Sequence, residues 1–141
     1  MNFNKAVQRM LLLHKKGGVI PSMMAKLMYH YLRAIYSNDI PYNAGVEGVY
    51  FCHRGLGTVI NAGARIGHGT IIQHRVTIGE MDGSHKCPII GKDCFIGAGA
   101  MVLGDITVGN NVKVGAGALV IKDVPDNCTV VGVPAKVIKH N

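Results

Sequence analysis

A β-branched aliphatic residue returns at every sixth position from Ile60 to Val120. The series runs Ile60, Ile66, Ile72, Ile78, Ile90, Ile96, Val102, Val108, Val114 and Val120, and only Ser84 interrupts it. Four residues after many of these stands a small or modest side chain, as at Ala64, Thr70, Val76, Ala100, Val112 and Ala118. Glycine often follows the aliphatic directly, as at Gly67, Gly79, Gly91, Gly97, Gly109 and Gly115. A period of six fits neither an α-helix nor a simple hairpin array. It suits a coil of three short flat strands per turn, with each aliphatic entering a triangular core and glycine or asparagine taking the corner. Stacked coils then pair parallel strands along a solenoid. A flexible glycine-rich linker would not hold one phase over this distance. Ile40, Val46 and Cys52 keep the spacing two residues out of phase, which puts an irregularity within residues 54–59.

The phase survives from Ile78 to Ile90, yet Glu80 to Pro88 contains no core aliphatic. Residues 80–88 therefore read as a loop thrown out from one corner, the kind of place where a rigid scaffold carries its chemistry. Ahead of the repeat, residues 1–36 are helical in pattern. Val7, Met10, Leu11 and His14 share one face of a first helix that stops at Gly17-Gly18. Pro21-Ser22 opens a second helix, whose Met24, Leu27, Met28, Tyr31, Leu32 and Ile35 are expected to pack against the rest of the protein. Lys5, Arg9, Lys15, Lys16, Lys26 and Arg33 occupy the polar sides. The expected organisation is a helical segment, 1–36, before a repeat domain, 39–138, in a mainly β fold.

With 48% hydrophobic and 16% charged residues, the 141-residue chain is too apolar for disorder. No apolar run approaches a membrane span, so no stable membrane insertion is expected. Met10 to Leu13 lies between Arg9 and Lys15 with no small-residue cleavage site after it. A soluble, uncleaved, cytoplasmic chain is the expectation. Cys52, Cys87, Cys94 and Cys128 form no CxxC pair and read as free thiols in a reducing compartment. The net charge of +7 suits nucleic acid, a membrane surface or an anionic small molecule. No basic and aromatic residues interleave as on a stacking platform, so nucleic acid is not expected and a phosphate-bearing cofactor is the more economical partner.

Several stretches resemble the hexapeptide-repeat acyltransferases, in particular their serine acetyltransferase-like branch with its short polysaccharide-type members. They are Asp39-Ile40-Pro41, the run from Cys52 to Ile60, Val76-Thr77-Ile78-Gly79, the His85 loop, Ile96-Gly97-Ala98-Gly99-Ala100, Val124-Pro125-Asp126-Asn127 and Val131 to Lys136. The resemblance implies a left-handed parallel β-helix, an exception to the usual right-handed crossover. It also implies direct acetyl transfer from acetyl-CoA to a hydroxyl, in a homotrimer with the active site between subunits.

Carried over residue by residue, the resemblance makes His53 the base that takes the acceptor proton and Asp39 the carboxylate that orients its imidazole. His85, in the extruded loop, would orient the acceptor or share the base role. Ala98 and Ala116 would let the pantetheine arm approach the backbone, and Lys122 and Lys136, with Lys139 as a further candidate, would meet the phosphates. His14, His30 and His140 read as helix-surface and tail residues. His68 and His74 read as solvated corners, with His74 held as a reserve catalytic candidate. His53, His85 and Cys87 could supply ligands to zinc, but the three-histidine pattern of related β-helices is not met, since His68 and His74 are six apart with no third histidine to complete them. No metal is expected.

The acceptor is argued from departures. Serine acetyltransferases carry a carboxylate just before the first histidine and an arginine just before the second, where this chain has Cys52 and Ser84. Their longer N-terminal helical domain supplies a further acid. Without those charge-assisted contacts, a sugar hydroxyl of a surface polysaccharide or its precursor is expected, with L-serine as the alternative through Arg54 or Lys86. A trimeric scaffold that has lost catalysis is the alternative of another class.

Overall fold

The computed structural model describes residues 2–140. Two helices lead into a three-sided coil of short parallel strands. The first face stacks Val59–Ile60, Thr77–Gly79, Met101–Leu103 and Leu119–Val120. The second stacks Arg65–Ile66, Ile89–Ile90 and Thr107–Val108. The third stacks Tyr50–Phe51, Ile71–Ile72, Phe95–Ile96, Lys113–Val114 and Cys128–Val131, and Lys136–His140 closes it antiparallel. Every ladder before that last strand is parallel, and the coil is the left-handed one that the resemblance implies.

The two-residue strands alternate one side chain outward and one inward. All ten aliphatics of the six-residue series point inward, each no more than 5% exposed. Ala64, Thr70, Val76, Ala100, Val112 and Ala118 fill the space beside them and are fully buried. Backbones touch at the corner between the second and third faces. A Cβ on Gly67 would come within 2.6 Å of the Gly91 backbone, and one on Gly91 within 2.6 Å of Gly109. Only glycine lets coils stack this closely there.

The regular step between coils is 18 residues, as from Val59 to Thr77. From Thr77 to Met101 it is 24, because the 80–88 segment leaves the coil. Below the first full coil, Asp39 bridges Val59 twenty residues on, and a tight turn at Cys52–Gly55 takes up the surplus.

Helix α1, Phe3–Lys15, lies across the open edge of the first coil. Asn2 caps it by accepting from the Asn4 amide at 3.0 Å. Asn4 then acts as a substitute strand: the Phe51 N–H donates to its Oδ1 at 2.7 Å, and its Nδ2 donates to the Phe51 carbonyl at 3.0 Å. One turn on, the Gly48 N–H donates to Gln8 Oε1 at 3.1 Å. The coil edge, otherwise a row of unpaired backbone groups, is closed. Phe3, Ala6, Val7, Met10 and Leu11 form the buried side of α1.

Helix α2, Val19–Tyr36, differs from the expectation in two ways. It begins before Pro21, which fits because a proline in the first turn forfeits no helical hydrogen bond. Its buried side chains are Ala25 and Leu32, while Met24, Leu27, Tyr31 and Ile35 face outward. Both sides of α2 are apolar, and the one bearing the small Ala25 is the one that fits against its neighbours.

Candidate active site

His53 sits in the tight turn after Tyr50–Phe51. Its backbone is left-handed, φ 49° and ψ 33°, and so is that of Arg54 at φ 59° and ψ 27°. Two consecutive non-glycine residues in this region carry strain of about 1–2 kcal/mol each. The turn holds the exposed His53 ring at the mouth of a cavity of about 410 Å³, lined also by Phe3, Asn4, Tyr36, Phe51 and Arg54. The Arg54 guanidinium lies 5.9 Å from the centre of the Tyr36 ring.

The His74 ring stands edge-on to His53, with centroids 5.0 Å apart and planes at 86°. Its Nδ1 is buried and has no hydrogen-bond partner among the described residues. His74 is thus not the solvated corner residue expected from its place in the repeat.

One corner of the coil aligns the candidates. The Arg75 N–H donates to the Leu56 carbonyl at 2.8 Å, that of Gly99 to His74 at 3.0 Å and that of Gly117 to Ala98 at 2.9 Å. The His53 turn, His74, Ala98 and Ala116 therefore follow one another up the edge between the third and first faces. With roughly 4.8 Å between coils, the edge spans on the order of 15 Å. Gly99 and Gly117, both at φ 67°, border open space beside the two alanines. Lys136 is exposed at the top of this edge, after the turn that follows Cys128–Val131. Lys122 is also exposed, but it leaves Leu119–Val120 toward the other edge of the first face.

A second cluster occupies that other edge. His85, at φ 58°, is 91% exposed in the 80–88 loop, with Nδ1 3.3 Å from Glu80 Oε2. Glu80 and Asp39 together line a groove of about 480 Å³ along the first face. Asp39 accepts a hydrogen bond of 2.6 Å from Tyr29 Oη and lies 3.7 Å from Arg33 Nη1. Burial, then the bond to Asp39, pushes the Tyr29 phenol above its ordinary pKa. Within one chain, Asp39 is engaged by α2 and makes no hydrogen bond to the His53 ring among the described residues. Lys86 is held by Asp105 at 2.6 Å.

Glu80, Tyr29 and Arg33 escaped the sequence reading as site groups, and His74 stood there only as a reserve candidate. Glu80 follows Thr77–Gly79 at the root of the loop, a signal available in advance. Tyr29 and Arg33 reach Asp39 only through the packing of α2, and His74 reaches His53 only through the irregular first coil.

The family model described as bacterial transferase hexapeptide (six repeats) matches residues 87–122. A serine acetyltransferase of Synechococcus elongatus is 36% identical over 118 residues, which is 82% of this chain and 48% of that protein. The chain thus spans about half the length of this curated relative. Among solved structures, serine acetyltransferase of Brucella abortus in complex with coenzyme A superposes with a TM-score of 0.85 at 32% identity, covering 97% of this chain and 54% of that one. Serine acetyltransferase of Neisseria gonorrhoeae in complex with serine gives 0.81 at 35%, covering 95% and 54%.

Proposed function

We propose that the chain is a hexapeptide-repeat transferase of the serine acetyltransferase branch and that it moves an acetyl group from acetyl-CoA to a small hydroxyl-bearing acceptor. The observation that carries the reading is the single corner on which the strained His53 turn, His74, Ala98 and Ala116 line up. A slender pantetheine arm fits beside two alanines and two glycines there, with Lys136 at the far end for a phosphate. Lys122 would serve a cofactor reaching it from a neighbouring copy.

His53 takes the proton of the acceptor hydroxyl as its oxygen attacks the thioester carbon. A C–O bond forms, the C–S bond breaks, and the His53 ring returns the proton to the leaving sulfur. His85 belongs to the opposite edge of the first face, while Asp39 sits beside Val59 and is engaged by Tyr29 and Arg33, so a site using His85 with His53 needs two copies side by side. A three-sided prism meets this condition in a homotrimer. The outward ladder of Tyr50, Ile71 and Phe95 on the third face supplies an apolar contact for it.

L-serine is the first acceptor, which replaces the polysaccharide sugar expected from Cys52 and Ser84. The relatives are serine acetyltransferases, one of them bound to serine. The groove that holds both Asp39 and Glu80 offers carboxylates for an ammonium group, and Arg54 beside His53 offers a partner for a carboxylate. The sugar reading keeps one observation of its own: neither Cys52 nor Ser84 supplies a charge next to its histidine. Free thiols at all four cysteines suit the cytoplasm as the place of reaction.

The test is thiol release from acetyl-CoA, with L-serine and with a panel of sugars, for the protein and for His53→Ala. Turnover with serine that falls about 10²–10⁴-fold in the variant is expected. Turnover with sugars alone would restore the sugar reading, and failure to bind acetyl-CoA would leave a scaffold.

A further inference from the structure

Helix α2 carries an apolar face that no other part of the described chain covers. Ile20, Met23, Met24, Leu27, Tyr31 and Ile35 recur at three- and four-residue steps and share one side of the helix. Each is between 45% and 67% exposed. An apolar surface of this extent marks a contact. Lys26, His30 and Arg33 form a polar stripe along its border.

The two helices themselves carry charge of one sign. Residues 1–38 hold Lys5, Arg9, Lys15, Lys16, Lys26 and Arg33 and no aspartate or glutamate. Lys15 pairs with Glu47, and Arg33 lies near Asp39. Lys5, Arg9, Lys16 and Lys26 have no acidic partner among the described residues. Two copies meeting through α2 would bring acid-free cationic helices together, whereas an anionic lipid surface satisfies the apolar face and the cations at once.

We propose that α2 docks this protein reversibly on an anionic membrane surface, with Leu27, Tyr31 and their neighbours at the headgroup boundary and Lys26 among the lipid phosphates. No helix of the described residues is long and apolar enough to cross a membrane, so α2 lies on the bilayer. The inference is independent of what the active site transfers.

The experiment is co-sedimentation with phosphatidylcholine vesicles, with and without phosphatidylglycerol. Variants are Leu27→Asp with Tyr31→Asp, and separately Lys26→Glu; cooperative urea unfolding checks that each is folded. Binding only to the anionic vesicles is expected, lost with the double substitution, weakened severalfold by Lys26→Glu and by added salt. Absence of binding, or equal binding to neutral vesicles, overturns the proposal. If the double substitution splits an assembly in sedimentation velocity and the parent ignores vesicles, a second copy covers the face instead.

Discussion

The Nδ1 of His74, buried with no partner among the described residues, is a cost to the single chain. His74→Leu removes that orphan, so the melting temperature should hold or rise. The same variant takes away the edge that supports the His53 ring, and turnover should drop about tenfold, equivalent to about 1.4 kcal/mol. Thiol-release kinetics beside a thermal melt separates the two effects. At Ala98, leucine should weaken acetyl-CoA binding by at least about tenfold in calorimetry, since about 1.4 kcal/mol of obstruction suffices. Tyr29 governs an alkaline limb of stability. Its folded pKa is raised, so the folded state holds the proton more tightly than the unfolded one. That contribution is complete below the ordinary value of 10.0 and is lost as pH climbs through the raised one. Tyr29→Phe should cost about 1 kcal/mol near neutrality and flatten the alkaline decline in urea unfolding.

Among the elements, α1 supplies the strand that the first coil lacks. Asn4→Ala would leave the Phe51 N–H and carbonyl without their partners at a buried edge, a loss of about 1–3 kcal/mol in urea unfolding. The coil itself was readable residue by residue, because a triangular core accepts one inward aliphatic per strand and leaves no second place for it. The helices were less readable. Where Met24, Leu27, Tyr31 and Ile35 compete with Ala25 and Leu32, hydrophobicity cannot choose the inner side, and the small residue wins on fit. The candidate site divides in the same way. Ala98 and Ala116 share an edge because the repeat puts them there. The contact of His74 with His53 and that of Tyr29 with Asp39 arise where the repeat is broken or absent, so no period announces them.

At the scale of the whole molecule, the ladder of Tyr50, Ile71 and Phe95 should hold copies together. Phe95→Glu should lower the mass seen in sedimentation velocity and reduce turnover with it, if His53 and His85 meet between copies. The coil also restricts how long such a chain can be. Because Gly67, Gly91 and Gly109 stack backbone on backbone, no coil can slide against the next, and only whole turns add or subtract cleanly. The 24-residue step from Thr77 to Met101 exceeds the 18-residue turn by six, which is one side of the triangle. Excising six residues, 81–86, should restore a regular turn, preserve cooperative unfolding and remove His85 in a single deletion. The stack is therefore measured in turns of 18, and the six residues beyond that measure are ones its packing does not need.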